Sequence, residues 1–209
     1  QLLNPEGTLY NIHMPIPLPA ASSLETVQAA LRQLVCRHAV LRTTYTFEDG
    51  TFSQIILPPD GFEISLVEDD ESANAAFEPL SSPPARARLV SDAKGDMLLV
   101  LILHHVIMDH QCMPILVRDM LAFMAGEMVP PVPLQYVDYA VWQSQSHSAK
   151  RKQEHLEWWR SHLASAPACL EVPLDAPRPA VQQNDSAKVV DFELDRDTAA
   201  QLHILCRTE

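Results

Sequence analysis

The spacing of apolar residues changes along the chain, and each change marks a different predicted element. Between Leu24 and Val35 the apolar residues recur every three or four positions, as they do on one face of a helix. Ser22 and Glu25 form a capping-box pair at the start of this pattern, which stops near His38. The sequence therefore predicts a first helix with one buried side.

Strand patterns follow this helix. Residues 41–47 and 51–57 are rich in β-branched and aromatic residues and flank the triplet Glu-Asp-Gly, which predicts a hairpin. Residues 85–92 alternate between apolar and polar, whereas residues 97–103 form a continuous apolar run that is typical of a strand buried on both faces. Further strands are predicted at residues 62–67 and 187–195.

Helical spacing returns in the second half of the chain. It runs from Met113 to Phe123, and Gly126 is the predicted stop. Because helices and strands alternate irregularly and no repeat is visible, the predicted fold class is α/β (mixed α+β), with helices packed on a largely buried mixed sheet. Further helices are predicted at residues 134–145 and 152–166, and a last helical pattern lies between Thr198 and Cys206.

Composition limits the classes of function. The chain has 209 residues, 47% of them hydrophobic, which suits one large domain or two small ones. Its formal net charge of −12 repels nucleic acid and anionic lipid, so neither is an expected partner. No apolar run approaches the roughly 20 residues of a membrane span.

The cysteines lack a CxxC spacing, which favours a reduced, cytoplasmic setting. Because the chain begins at Gln1, we expect it to be part of a longer protein.

Histidines and an aspartate follow the predicted buried strand, at His104, His105, Asp109 and His110. Sheet proteins commonly place their chemistry at such strand ends. Adjacent strand residues point to opposite faces, so we expect one of His104 and His105 to face a cavity and the other to be packed inside. A buried Asp109 would need a cation, and Arg42, which begins a strand between apolar neighbours, is the predicted partner.

The residues alone leave three interpretations of this cluster open. A histidine at a strand end is usually a hydrogen-bonded structural residue. Histidine and aspartate also bind metals, although opposite-facing histidines and a spacing unlike HExxH disfavour a metal site. The third interpretation is a catalytic histidine.

Other notable side chains are interpreted as structural. Trp142, Trp158 and Trp159 are predicted to anchor helix packing rather than to form a substrate cage. Cys112 is interpreted as a small apolar residue, since no activating motif lies beside it. The sequence contains no GxSxG motif and no phosphate-binding glycine loop, which removes the common hydrolase and nucleotide-binding interpretations.

Four motifs resemble those of the condensation domains of nonribosomal peptide synthetases and hybrid polyketide–peptide synthases. HHVIMDH (104–110) is similar to HHxxxDG, and RHAVLRTTY (37–45) is similar to RHxxLRTxF/Y. YVDYAVWQ (136–143) resembles YxDYAxWQ, and VPLDAPRP (172–179) resembles LPxDxPRP except at Val172. The motifs occur in the family's order across nearly the whole chain.

The resemblance implies a chloramphenicol-acetyltransferase-like fold. Residues 1–190 would form the N-terminal lobe of the condensation domain, and residues 191–209 would begin a truncated C-terminal lobe. Motif positions also imply roles for individual residues. His105 is the implied catalytic histidine, His104 its structural neighbour, and Asp109 the partner of Arg42.

The activity implied by the resemblance is acyl transfer. An amine on an acceptor carrier domain attacks a thioester on a donor carrier domain and forms an amide. The substrates are attached to the phosphopantetheine arms of these carriers, so no cofactor is expected on this lobe. The missing C-terminal lobe and neighbouring megasynthase domains are further expected partners. Because the implied site lies between two lobes, we expect the isolated fragment to be inactive.

His110 departs from the family motif, which has glycine there. Histidine resists the positive φ and the close backbone approach that glycine permits. We therefore expect His110 to narrow the substrate channel, to add a polar contact, or to mark a domain without activity. The last interpretation gives an alternative function: a non-catalytic scaffold or carrier-docking domain, for instance at the end of a polyketide synthase. Epimerising and ring-closing relatives share the histidine motif.

Overall fold

A computed structural model of the chain describes residues 7–20, 22–91, 94–146, 149–170, 173–174, 177 and 190–208. The chain divides into two units, Gln1–Pro173 and Leu174–Glu209. The predicted lobe boundary between residues 190 and 191 stays a prediction, and most of the motif at 172–179 lies outside the described residues.

Strands and helices are mixed in the first unit, so the α/β class is confirmed. Its strands are β1 (Asn11–Pro17), β2 (Thr43–Glu48), β3 (Thr51–Ile56), β4 (Ser65–Leu66), β5 (Ala85–Ser91) and β6 (Met97–His104). Its helices are α1 (Leu24–Arg37), α2 (Asp70–Asn74), α3 (Met113–Met124), α4 (Tyr136–Ser146) and α5 (Ala149–His162), and α6 (Arg196–Thr208) belongs to the second unit.

A mixed sheet with the strand order β1-β6-β5-β4 carries the site. Strand β6 pairs antiparallel with β1 on one edge and with β5 on the other, while β4 pairs parallel with β5. Strands β2 and β3 form the predicted hairpin as a separate sheet. Pairing on both edges satisfies the backbone groups of β6 and allows its residues 97–103 to be apolar.

The main hydrophobic core lies between one face of this sheet and helices α1 and α3. Leu101 and Leu103 of β6 are fully buried in it, and Leu34 of α1 and Met120 of α3 belong to the same cluster. On the other face of the sheet, Ile102 packs in a second cluster with Ala73 and Phe77. The prediction that β6 is buried on both faces is thus confirmed for its last residues.

Capping residues define the ends of α1, and the N-cap lies one residue after the predicted one. The N-cap is Ser23, whose side chain accepts a hydrogen bond from the Thr26 N–H at 3.2 Å. Ser22, the predicted cap, donates instead to the Pro19 carbonyl at 2.7 Å. The helix ends at Arg37 with His38 as its C-cap, where the apolar pattern stops.

Helix α3 ends as its sequence predicts. Gly126 has a φ of +73° and donates its N–H to the Phe123 carbonyl at 3.1 Å. The Glu127 N–H donates to the Ala122 carbonyl at 2.9 Å. These two bonds form a Schellman motif, which requires the left-handed backbone that glycine adopts without strain.

Two predicted strands are wrong in extent. The strand predicted at residues 62–67 is reduced to Ser65–Leu66. For the strand predicted at 187–195, residues 187–189 lie outside the described residues and residues 190–195 have no strand pairing. Asp195 instead caps α6, since its carboxylate accepts the Thr198 N–H at 2.8 Å.

Among the residues that the structure describes, the tryptophans are not buried anchors of helix packing, which corrects the prediction. Trp142 of α4 is 59% exposed, and Trp158 and Trp159 of α5 are 56% and 52% exposed. Trp158 contacts its neighbours on the same helix, with its ring 4.7 Å from that of Trp159 and 4.6 Å from that of His162. In the described part of the chain, these tryptophans are therefore about half exposed. Within the part of the chain that the structure describes, no helix is long and apolar enough to cross a membrane.

The central position of β6 predicts a large difference between two identical substitutions. Leu101→Ala should lower the free energy of unfolding by about 2–5 kcal/mol, because it leaves a cavity at a fully buried position of the central strand. Leu24→Ala, at a side chain that is 54% exposed, should cost less than about 1 kcal/mol. Denaturant unfolding of both variants measures the difference, and equal losses would contradict this view of the core.

Candidate functional site

Two histidines with different environments lie at the carboxyl end of the central strand β6. His104 is the last residue of β6 and donates its N–H to the Pro84 carbonyl at 3.1 Å. The His105 N–H donates to the Tyr10 carbonyl at 2.8 Å. The His104 residue is only 5% exposed, whereas His105 is exposed. The environments differ as strand alternation predicts, while the roles of the two residues stay predictions.

His104 is held as a neutral, packed imidazole. Its Nδ1 accepts the Val106 N–H at 3.0 Å, and its ring lies 6.4 Å from that of Phe77 in an edge-on arrangement. Burial lowers the pKa of His104, and His105 lowers it further through charge repulsion. The neutral ring with Nδ1 as acceptor therefore fixes the backbone that leads out of the strand.

His105 borders two surface cavities. The first, here called the His105 cavity, has a volume of about 210 Å³ and is lined by residues 105–109 together with Val40, Cys112 and Tyr136. The second has a volume of about 360 Å³ and is lined by Tyr10 and residues 104–106. The exposed imidazole is thus accessible to a substrate from the surface.

The structure does not bring Asp109 and Arg42 together, contrary to the prediction. The Asp109 carboxylate accepts the Cys112 N–H and the Cys112 thiol, each at 3.1 Å, and these bonds lower the pKa of Asp109. Arg42 donates its Nε to the Val35 carbonyl at 3.3 Å and its Nη1 to the Leu57 carbonyl. Asp109 is exposed and caps its own turn, so it needs no cation, and backbone carbonyls satisfy the guanidinium.

His110 fits its position without strain. It is exposed and begins the 3₁₀ turn His110–Cys112. Among the described residues, Asp49 is the one non-glycine residue with a positive φ, so the backbone at position 110 does not require glycine. His110 does not line either cavity that His105 borders, and the expected narrowing finds no support there.

A buried charge cluster that the sequence analysis missed lies beside this site. Asp119 of α3 is fully buried, and its Oδ2 accepts bonds from Arg37 Nε at 2.7 Å and His38 Nε2 at 2.8 Å. Its Oδ1 accepts from Arg118 Nη2 at 2.7 Å and from Arg118 Nε at 2.9 Å. Burial alone would raise the pKa of Asp119, but these hydrogen bonds outweigh it and lower the pKa. An acid inside the apolar pattern of α3 was the signal that would have revealed the cluster.

Gln135 connects this cluster to the cavity. Its side chain accepts the Ala39 N–H at 3.0 Å and donates to the Arg37 carbonyl at 3.0 Å. Its own N–H donates to the Asp138 carboxylate at 2.7 Å at the start of α4. These bonds fix the first turn of α4 beside the end of α1, so that Tyr136 reaches the His105 cavity.

Metal ligation was one of the interpretations left open by the sequence. Within residues 7–20, 22–91, 94–146 and the later described segments, no three His, Cys, Asp or Glu side chains are grouped closely enough to hold a metal ion.

Comparison with protein families supplies a match over the whole chain. The model of the condensation domain family matches residues 1–209. The phosphinothricin tripeptide synthetase PhsC of Streptomyces viridochromogenes is 33% identical over 89% of this chain. Malpinin synthetase of Mortierella alpina is 31% identical over 84% of it. The chain spans only 19% and 3% of the lengths of these relatives.

Solved structures share the fold. SgcC5 of Streptomyces globisporus, bound to a naphthyl ethanediol and sucrose, is 30% identical with a TM-score of 0.61. The match covers 78% of this chain and 41% of SgcC5. The X-domain from teicoplanin biosynthesis, in complex with OxyB, is 25% identical with a TM-score of 0.66. That match covers 82% of this chain and 42% of the X-domain.

Removal of the buried negative charge should destabilise the protein strongly. Asp119→Asn should lower the free energy of unfolding by about 3 kcal/mol or more, because it leaves the guanidinium of Arg37 without its counter-ion. The control is Asp70→Asn, since Asp70 pairs with Arg88 but its side chain is 82% exposed, and it should cost less than about 1 kcal/mol. A loss at Asp119 no larger than that at Asp70 would show that the cluster is not needed for stability.

Acidification should destabilise the fold through its buried histidines. Burial lowers the pKa of His104 and also that of His38, where it outweighs the contact with Asp119. The unfolded chain takes up these protons near pH ~6.5, before the folded protein does, so stability present at pH 7 is lost as the pH falls below that value. The lowered pKa of Asp119 delays any loss from that carboxyl to more acidic pH.

Unfolding measurements at pH 7.5, 6.5 and 5.5 check this effect. His104→Asn should reduce the dependence of stability on pH, whereas His13→Asn, at an exposed side chain of β1, should retain it. The explanation fails if the His104 variant keeps the full pH dependence of the unmodified protein.

Proposed function

The chain belongs to the condensation domain family, and we propose that it is the first lobe of a condensation domain that forms an amide within a peptide synthetase. The observation that carries the proposal is the exposed imidazole of His105, which lies at the end of a fully paired strand and borders the His105 cavity. The relatives are peptide synthetases many times longer than this chain, which supports carrier domains and further synthetase domains as its partners.

The proposed reaction transfers an acyl group from a thioester to an amine. The amine of the acceptor substrate attacks the thioester carbonyl, a C–N bond forms, and the C–S bond breaks. A neutral His105 accepts the proton that the amine loses and then passes it to the departing sulfur, so that the donor leaves as a thiol and His105 is neutral again. General base catalysis of this kind contributes about 10²–10⁴-fold in rate. The phosphopantetheine arms of both carriers hold the reactants together and supply a further large part of the acceleration.

The neighbouring residues support His105 without reacting. His104 is buried and its Nδ1 holds the Val106 N–H, which keeps the chain after β6 in one conformation. Asp109 caps the following turn and so shapes the wall of the cavity. Arg42 ties the end of α1 to the segment after β3 through the Val35 and Leu57 carbonyls. The other residues of these motifs therefore serve mainly to hold the imidazole of His105 in position.

A non-catalytic docking domain is the second candidate function. One observation favours it: the 25%-identical X-domain forms a complex with another protein, OxyB. Under this alternative, His110 marks a domain that has lost activity and recruits a partner, as could occur at the end of a polyketide synthase. The strain-free placement of His110 favours the catalytic proposal, since the substitution does not disturb the turn that follows His105.

Substitution of His105 separates the two candidates. In the complete condensation domain with loaded donor and acceptor carriers, His105→Ala should lower single-turnover amide formation by about 10²–10⁴-fold. The fold should be retained, because the His105 side chain is exposed. His110→Gly is the matched control and should leave the rate within about twofold, since His110 does not line the His105 cavity.

Product at the normal rate from His105→Ala would exclude His105 as the catalytic residue. An absence of product from the unmodified domain, with both carriers bound, would favour the docking function instead.

A further inference from the structure

The His105 cavity offers another polar group besides the imidazole. Polar side chains in its lining come from His105, Asp109, Cys112 and Tyr136. The Asp109 carboxylate and the Cys112 thiol are bonded to each other at 3.1 Å. Within the part of the chain that the structure describes, the Tyr136 hydroxyl has no hydrogen-bond partner. The phenol is therefore available to a molecule bound in the cavity.

The position of Tyr136 is built into the fold. Tyr136 is the first residue of α4, directly after Gln135, whose side chain bonds to the backbone of Arg37 and Ala39. Arg37 is in turn bound to the fully buried Asp119. Val40, which follows Ala39 in the chain, lines the same cavity. The Gln135 bonds therefore fix the position of Tyr136 relative to Val40.

A second tyrosine, Tyr45, forms a hydrogen bond with the backbone next to His105. The Tyr45 hydroxyl donates to the Val106 carbonyl at 3.4 Å. Burial raises the pKa of Tyr45 and the nearby Tyr136 raises it further, which agrees with two phenols facing the same region. Because the Tyr45 hydroxyl is already bonded to the protein, Tyr136 is the phenol that remains for a ligand.

The proposed reaction needs a hydrogen-bond donor at this place. A carbonyl oxygen only accepts hydrogen bonds, and it gains negative charge as the amine attacks. An imidazole nitrogen that accepts the proton of the amine cannot also donate to that oxygen, whereas a phenol can. A donor of this kind acts most strongly in the transition state, when the charge on the oxygen is largest.

We propose that Tyr136 contacts the substrate and donates a hydrogen bond to the carbonyl oxygen of the acyl group bound beside His105. The inference rests on the proposed amide-forming function and deepens it. It assigns the acceptance of the proton to His105 and the stabilisation of the oxygen to Tyr136, so that these two groups of one cavity have complementary roles.

The test compares two tyrosines of the same helix. Tyr136→Phe removes only the hydroxyl that has no protein partner. Tyr139→Phe removes a hydroxyl that accepts a bond from Gln143 Nε2 at 3.1 Å, on a residue that does not line the His105 cavity. Single-turnover amide formation is measured in the complete condensation domain with saturating loaded carriers, beside the His105→Ala variant. Thermal unfolding is measured for each protein.

Tyr136→Phe should slow amide formation about tenfold, the effect of one lost hydrogen bond, at an unchanged melting temperature. Tyr139→Phe should react at the normal rate. If Tyr136→Phe also reacts normally while His105→Ala does not, the inference about Tyr136 is overturned and the proposed function stands. If the unmodified domain forms no product, the proposed function fails and the role of Tyr136 fails with it.

A binding measurement gives a second readout. The donor carrier is loaded with a stable amide analogue of the acyl thioester, which keeps the carbonyl oxygen but does not react. The complete domain with Tyr136→Phe should bind this carrier more weakly than the domain with Tyr139→Phe. If the two variants bind the carrier with equal affinity and react at equal rates, Tyr136 does not contact the substrate.

Discussion

The pairing of β6 with a neighbour on each edge is the constraint on which the candidate site depends. Pairing on both edges satisfies the backbone groups of the strand, and its last residues are buried on both faces, so residues 97–103 can all be apolar. The pairing continues beyond the last apolar residue, because the N–H groups of His104 and His105 donate to the Pro84 and Tyr10 carbonyls. Side chains alternate along this backbone, and one imidazole is consequently buried while the next is exposed.

Another part of the cavity lining depends on a buried charge. Asp119 is fully buried, and Arg37, His38 and Arg118 bond to its two oxygens. This cluster fixes the end of α1, and Gln135 transmits that position to the start of α4. Packing of the β6 core and compensation of a buried carboxylate therefore position different residues that line the same cavity. The chemistry proposed here needs both, because a proton acceptor and a hydrogen-bond donor must be held at a fixed separation.

Elements whose burial follows a regular spacing could be predicted from the sequence, and contacts between distant segments could not. Helices α1 and α3 and strand β6 lie where their apolar patterns place them. The pairing of Asp109 with Arg42 was wrong, since each finds a nearer partner: Asp109 within its own turn, Arg42 in two carbonyls. Asp119 was missed because one acid in an apolar pattern does not reveal the cations that meet it. The tryptophans of α4 and α5 were predicted to anchor helix packing, but a sequence pattern cannot show whether another element covers them.

The central claim is that acyl transfer takes place in the cavity that His105 borders. A crystal structure of the complete condensation domain, with a donor carrier bearing a stable amide analogue of the acyl thioester, tests this claim most directly. The account predicts the acyl group in the His105 cavity, with its carbonyl within hydrogen-bond reach, roughly 2.6–3.2 Å, of the Tyr136 hydroxyl and with the imidazole beside the carbonyl carbon. An acyl group bound outside this cavity, with His105 in contact only with solvent, would contradict the account.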